Sequence, residues 1–243
     1  MVNTMKGTFY GLGVGPGDPD LLTVKAYKIL QGADVIITPT KKMGKPSIAY
    51  KIVESHIAPM TEVVEMSFPM ISLSEERETL KKQWKENADA IEEYLNAGKS
   101  VVFLTLGDPM VFSTYSYVME FLLNREIEVV TLSGIPSFCN LAAQINVPLT
   151  QGEESLGVVA MTQPIEEIRQ ILDAHKNVVI MKVSANNAVL AEELIARGLE
   201  NSFVLVSNIG MENQTIIRDI EVLKGKIPYL STVLIKKDYD IKL

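Results

Sequence analysis

The sequence predicts an α/β fold of two domains, the first built on a mostly parallel sheet with helices on both faces. Short apolar segments alternate with longer amphipathic ones through the first half of the chain, which is typical of strand–helix–strand units. Glycine-rich loops directly follow two of the apolar segments, where ligands bind in such sheets. The alternation is less regular in the second half, which favours a mixed sheet there.

The first domain is expected at residues 1–118. Its apolar runs predict strands at 8–14, 34–38, 62–66 and 99–106. Helical spacing of apolar residues predicts helices at 20–31, 47–55 and 72–96. The last helix is expected to begin at Ser72, because Glu75 follows three residues later in a capping-box pattern, and Gly98 is placed to end it.

The second domain is expected at residues 119–243, with the boundary between residues 113 and 124. A strand at 127–132 opens it, followed by a tight turn and a helix at 138–145. Further strands are predicted at 157–161, 177–183, 202–207 and 231–236. Helices are predicted at 165–175 and 187–197.

Composition excludes several classes of protein. The 243 residues carry a net charge of −7 without a basic tract, which disfavours binding to nucleic acid. No apolar run reaches the ~20 residues that a membrane span needs, and the N-terminus has no signal-peptide pattern. Cys139 is the only cysteine, so no internal disulfide can form. We expect a cytoplasmic protein in which Cys139 is a small core residue.

The first motif is GLGVGPGDPDLLTVKA, from Gly11 to Ala26. Its glycines fall at 11, 13, 15 and 17, which does not match the G-x-G-x-x-G spacing of dinucleotide-binding loops. A Walker loop is also absent. The motif therefore predicts a tight strand-to-helix connection, with Asp18 or Asp20 near the helix start, that serves either as a plain turn or as a close approach for a ligand.

Two more motifs carry candidate ligand groups. In LTLGDPMVFSTYSYV, Asp108 directly follows a buried strand, where its carboxylate either serves a ligand or caps the next helix. In SGIPSFCNLAA, Ser133 or Ser137 either caps a helix or marks backbone N–H groups that meet a ligand carboxylate.

The loop PTKKMGKPS contributes three lysines after the second strand, Lys41, Lys42 and Lys45. They either rim the same edge of the sheet as the glycine loops or form a solvated surface. No metal site is expected, because His56 and His175 have no neighbouring His or Cys at ligand spacing.

Taken together, the three motifs resemble the tetrapyrrole (class III) methyltransferases, in order and over nearly the whole chain. TLGDPMVFSTYSYV, SIAYKIV and the segment 68–70 before the helix of Trp84 are most similar to the precorrin-2 C20-methyltransferases, including the cobalt-factor II form. The resemblance implies two α/β domains with S-adenosylmethionine in the cleft between them, S-adenosylhomocysteine as product, a tetrapyrrole substrate and a homodimer.

The resemblance also implies which residues bind the donor. The motifs carry over Val14, Pro16, Gly107, Asp108, Val111, Pro136 and Ser137, and strand order alone carries over Met181, Lys182, Ile209, Gly210 and Thr232. Lys41, Lys42 and Lys45 are hypothesised to pair with the substrate carboxylates. No catalytic acid or base is singled out, and whether the substrate carries cobalt stays open.

Other functions remain open at this point. The uroporphyrinogen-III, precorrin-4 and diphthine methyltransferases share the first motif, and a module that binds the donor or a tetrapyrrole without transferring a methyl group would share it as well. A nicotinamide oxidoreductase is disfavoured by the glycine spacing.

Overall fold

The computed structural model describes residues 6–41, 44, 47–69, 77–239 and 241, and the chain divides into two units, Met1–Pro136 and Ser137–Leu243. The described part of the first unit contains a sheet of five strands in the order β3-β2-β4-β1-β5, and every pairing is parallel. The strands are β1 (Phe9–Gly13), β2 (Val35–Thr40), β3 (Glu62–Ser67), β4 (Val101–Thr105) and β5 (Val129–Leu132).

Helices cover both faces of this sheet, as the sequence predicts. Ile36 and Leu104 pack on one face with α1 (Val24–Gln31) and α2 (Ile48–Val53). Ile37 and Phe103 pack on the other face with α3 (Arg77–Asn96) and α4 (Tyr115–Leu123). Neighbouring residues of β2 and β4 therefore point to opposite cores, which explains why these strands are apolar throughout rather than alternating.

The helix predicted at 20–31 begins later than expected. Asp18 caps a short 3₁₀ helix, Pro19–Leu21, and Thr23 then caps α1 by accepting a hydrogen bond from the Ala26 N–H at 3.2 Å. The predicted helix is therefore divided in two, because Asp18 and Thr23 each accept a hydrogen bond from the first turn of a separate helix. The predicted start of α3 at Ser72 and Glu75 lies outside the described residues.

Two predictions around the middle of the chain were wrong. The strand expected to open the second domain, β5, pairs in parallel with β1 and so belongs to the first sheet. Residues 113–124, expected to hold the domain boundary, contain α4, whose buried Tyr115, Val118 and Leu122 recur at helical spacing. The first unit therefore extends to Pro136.

The second unit has a mixed sheet, as predicted. Its order is β6-β7-β10-β8-β9, with β6 and β7 parallel and the other pairings antiparallel. The strands of its described part are β6 (Leu156–Ala160), β7 (Asn177–Met181), β8 (Phe203–Ser207), β9 (Thr215–Ile217) and β10 (Ser231–Lys236). The sequence analysis did not predict β9, a strand of three residues at the sheet edge.

Helices also cover the second sheet. One face packs against α6 (Ile165–Ala174), α7 (Asn187–Ala196) and the unpredicted α8 (Ile220–Lys224). The other face packs against α5 (Ser137–Gln144) through Leu141 and against Ile241 near the chain end. The described helices include none that is long and apolar enough to cross a membrane.

Candidate functional site

The first sheet has a topological switch point between β1 and β4. Strand β1 leads into α1, which packs on one face of the sheet, and β4 leads into α4, which packs on the other face. Connections that leave adjacent strands towards opposite faces leave a crevice at the carboxyl ends of the two strands, where ligands bind in open parallel sheets. The motifs GVGPGD and GDP begin at these two strand ends.

The two loops are joined by backbone hydrogen bonds. The Val14 N–H donates to Thr105 O at 2.9 Å, and the Gly107 N–H donates to Gly15 O at 2.8 Å. Gly15 and Gly107 have φ values of 79° and 74°, a conformation in which a side chain would be strained. The glycines therefore allow the two loops to pair with each other.

A third loop, from the motif SGIPS after β5, packs against the same glycines. A Cβ atom added to Gly134 would lie 2.0 Å from Gly107 O, and one added to Gly13 would lie 2.5 Å from Gly134 N. Because these contacts are with backbone atoms, a side chain at either position would require the neighbouring loop to move. The structure thus brings the three sequence motifs together within the first unit.

Asp108 ties the second loop to the third. Its Oδ1 accepts a hydrogen bond from the Met110 N–H at 2.8 Å, and its Oδ2 accepts one from the Gly134 N–H at 3.0 Å. The side chain is buried, and α4 begins only at Tyr115, so the alternative of a helix cap was wrong. Each carboxylate oxygen retains a lone pair, so Asp108 can hold the loops and still accept a hydrogen bond from a ligand.

The other candidate residues of the first unit lie around these loops with different degrees of access. Pro16 is buried, whereas Val111 and Pro136 are half-buried. Val14 is fully buried in the core face that contains Leu104. Val14 therefore belongs to the packed support beneath the loops.

In the second unit, most of the remaining candidate donor-binding residues lie at or near strand ends. Met181 ends β7, Ile209 and Gly210 follow β8, and Thr232 lies near the start of β10. Because β10 is antiparallel to both β7 and β8, its start lies beside their carboxyl ends. Lys182 follows Met181 with a φ of 54°, and Ser137 is the first residue of α5.

Gln214 is a residue of this region that sequence reasoning missed. Its Oε1 accepts a hydrogen bond from the Gly210 N–H at 2.7 Å, and its own N–H donates to Met211 O at 3.0 Å. The Gly210 N–H is therefore already engaged within the protein. The segment NIGMENQ carries no feature that singles out Gln214, because the hydrogen bond depends on a turn that the sequence does not specify.

The lysine loop is described only in part. Lys41 is exposed and directly follows β2, whereas Lys42 and Lys45 lie outside the described residues. The Gly44 N–H donates a hydrogen bond to Glu65 Oε2 on β3 at 2.8 Å. This bond holds the loop at the edge of the sheet where the strands end.

Two titratable groups near the motifs are shifted by burial. Burial raises the pKa of the Tyr115 phenol, whose hydroxyl lies 2.6 Å from Thr131 Oγ1. Burial also raises the pKa of the Cys139 thiol, which is half-buried rather than a fully buried core residue. Both groups are therefore held in their neutral forms. The described residues include no group of three or more His, Cys, Asp or Glu that could hold a metal ion.

Comparison with known proteins adds a family to this geometry. The family model of the tetrapyrrole (corrin/porphyrin) methylases matches residues 8–221. The cobalt-precorrin-2 C(20)-methyltransferase of Salmonella typhimurium is 35% identical over 97% of the chain and 99% of its own length. The precorrin-2 C(20)-methyltransferase of a Sinorhizobium species is 31% identical over 94% of the chain and 95% of its own length.

A solved structure shows the same fold. The uroporphyrin-III C-methyltransferase of Thermus thermophilus, in complex with S-adenosylhomocysteine, superposes with a TM-score of 0.71 and is 22% identical. The alignment covers 95% of this chain and 92% of that one.

Proposed function

Because the chain belongs to the tetrapyrrole (corrin/porphyrin) methylase family, we propose that it transfers the methyl group of S-adenosylmethionine to C20 of precorrin-2 or cobalt-precorrin-2 in cobalamin biosynthesis. The observation that carries this proposal is the match to the Salmonella enzyme, which extends over nearly the full length of both chains. The convergence of the three motifs at the switch point supports it, because it provides a ligand site at the place that the fold favours.

The three packed loops give the proposed donor a rigid support at the carboxyl ends of the strands. Gly13 and Gly134 leave no room for a Cβ atom because the backbone of the neighbouring loops fills that space, so these glycines keep the loops packed together. The proposed donor-binding residues are Val14, Pro16, Gly107, Asp108, Val111 and Pro136 in the first unit, with Ser137, Met181, Lys182, Ile209, Gly210 and Thr232 in the second.

The bound donor supplies an electrophilic methyl group on a sulfonium sulfur. A meso carbon of a reduced tetrapyrrole is electron-rich, so the protein has to hold the two reactants in line and exclude water. In this proposal the hydrogen-bonded loops provide a rigid support and Asp108 keeps them together. We assign no general base, because no described acidic or basic side chain is singled out by its surroundings at these loops.

The substrate of such an enzyme carries many carboxylates, which an acidic protein has to offset locally. We propose that Lys41, Lys42 and Lys45 contribute to this. A variant with all three lysines changed to glutamine should bind S-adenosylhomocysteine normally and have a raised KM for the tetrapyrrole. An unchanged KM would contradict their role.

We further propose that the protein works as a cytoplasmic homodimer, as the family resemblance implies. Light scattering after gel filtration should give twice the chain mass of 26.9 kDa. A monomer mass at micromolar concentration would overturn this.

The function is tested by anaerobic incubation with methyl-labelled S-adenosylmethionine and each of four acceptors: precorrin-2, cobalt-precorrin-2, uroporphyrinogen III and precorrin-4. We expect one labelled methyl group on precorrin-2 or its cobalt form, located at C20 by NMR. Comparison of the two rates decides whether cobalt is required. Labelling of another acceptor alone would assign a different methyltransferase, and donor binding without transfer would indicate a binding module.

A further inference from the structure

The loop between β4 and α4 carries two exposed apolar side chains. Met110 is 58% exposed and Phe112 is 43% exposed, although both follow within five residues of the buried Gly107 and Asp108. Exposed large apolar side chains are common singly, but a pair beside a ligand site is more informative.

The loop is built to hold these side chains in place. The Asp108 carboxylate accepts the Met110 N–H, and the Val111 N–H donates to Asp108 O at 3.2 Å. On the other side of Phe112, Ser113 Oγ accepts the Tyr115 N–H at 3.1 Å. Hydrogen bonds thus fix the backbone before and after Phe112, so the loop determines the direction of the Phe112 side chain.

The backbone of Phe112 is strained. Its φ is 49°, in the left-handed region that disfavours a bulky L side chain. The other described non-glycine residues with positive φ are Glu126 and Asn146, which follow α4 and α5 where this conformation ends a helix, and Lys182 and Asn208, which directly follow β7 and β8. Phe112 ends no helix, and strain that the fold maintains without such a reason is concentrated at ligand-binding sites.

From this arrangement we propose that Phe112 and Met110 form an apolar platform that contacts the macrocycle of the tetrapyrrole acceptor. The inference rests on the proposed function, which makes the acceptor a flat ring system with apolar faces and charged edges. An aromatic ring and a thioether suit such a face, because both offer a polarisable contact surface. The platform continues the loop of Gly107 and Asp108, so one rigid segment would present the acceptor next to the donor residues.

The test uses the change Phe112→Asn in the full-length protein. Asparagine tolerates positive φ better than phenylalanine, so the loop keeps its backbone while it loses the ring. A second variant, Met110→Ala, removes the other half of the platform. Met60→Ala is the matched control, because Met60 is 95% exposed but lies just before the amino end of β3, at the opposite edge of the sheet.

Four quantities are measured for each variant: the Kd for S-adenosylhomocysteine by calorimetry, the thermal midpoint, and KM and kcat for the accepted form of precorrin-2. Phe112→Asn should raise KM by about tenfold, the scale of a lost aromatic contact, and leave the Kd within about twofold. Its thermal midpoint should stay the same or rise, because strain is relieved. Met110→Ala should raise KM by less, and Met60→Ala should change nothing.

The outcomes separate this inference from the proposed function. If the wild-type protein methylates precorrin-2 and Phe112→Asn has an unchanged KM, the platform is wrong and the proposed function stands. If the Kd for S-adenosylhomocysteine weakens in parallel with KM, the ring serves the donor and the inference is overturned. A wild-type protein that binds the donor but methylates no tetrapyrrole would overturn both.

Discussion

Asp108 Oδ2 accepts the backbone N–H of Gly134 at 3.0 Å, so the loop after β4 is tied to the loop after β5 by one side chain. The other oxygen of the same carboxylate accepts the Met110 N–H within its own loop. Two backbone donors therefore depend on a single acidic residue that is buried beside the glycines of the site.

This arrangement makes Asp108→Asn a sharp test. An asparagine side chain has one acceptor oxygen, so its NH₂ group would face one of the two N–H donors. We expect the free energy of unfolding to fall by about 1–3 kcal/mol and S-adenosylhomocysteine to bind more weakly. Urea denaturation and calorimetry measure the two effects. The control Asp20→Asn changes an exposed residue and should alter neither, whereas equal effects in both variants would refute the role of Asp108.

Gly11 and Tyr115 form a second coupled pair. A Cβ atom on Gly11 would lie 2.1 Å from Cζ of the fully buried Tyr115 ring. Gly11→Ala should therefore lower the free energy of unfolding by about 1–3 kcal/mol through overpacking. In a Tyr115→Leu background the same change should cost much less, because the clashing atoms are gone.

A double-mutant cycle in urea measures this coupling between Gly11 and Tyr115. Gly32→Ala is the control, since its Cβ would meet its nearest atom at 3.9 Å and should be tolerated. If the losses in free energy of unfolding from Gly11→Ala and Tyr115→Leu were additive, the Tyr115 ring would not be the reason for glycine at position 11.

We expect Glu193 to contribute to the decrease in the free energy of unfolding of the second unit at acid pH. Hydrogen bonds from Arg169, and then from Arg197, hold the pKa of the buried Glu193 carboxyl below its usual value. A depressed folded-state pKa contributes stability above the unfolded value of about 4.3, and this is lost as the pH falls through the folded-state pKa.

Glu193→Gln should therefore lower the free energy of unfolding by about 1–3 kcal/mol near neutral pH, with less effect as the medium becomes acid. Denaturation series between about pH 7 and pH 3 test this. The neighbouring Glu192 is exposed, so Glu192→Gln should follow the wild-type curve. A difference between wild type and Glu193→Gln that persists undiminished at the lowest pH would contradict the explanation.

Gln214 is expected to act on the donor through Gly210. Gln214→Leu removes the hydrogen bond that fixes the turn at Gly210. Ordering this turn then becomes a cost of binding, so the affinity for S-adenosylhomocysteine should fall by about tenfold. Gln214→Glu retains an acceptor oxygen and should preserve most of the affinity. Calorimetry decides, with Gln170→Leu on the exposed face of α6 as the control for added apolar surface. Equal losses in the leucine and glutamate variants would argue against the hydrogen bond.

Local patterns predicted most of the helices and strands, because the spacing of apolar residues in a segment indicates which of its faces are buried. β2 and β4 are apolar throughout since both faces of the sheet are covered, and that pattern is visible in the sequence. Helix α4 was missed because YSYVMEFLL is apolar nearly all round, which gives helical periodicity little contrast. β5 was recognised as a strand, but its partner, β1, lies more than a hundred residues earlier.

The sequence by itself determined the alternation of strands and helices, the three glycine-bearing motifs and the family that they resemble, because each of these is written in neighbouring residues. Only the tertiary structure decided that β5 joins the first sheet, that Asp108 is hydrogen-bonded to Gly134, and that Phe112 is held in a strained conformation in the loop before α4. The reason is physical: hydrogen bonds and packing between segments distant in the chain depend on distances that no local pattern of residues contains.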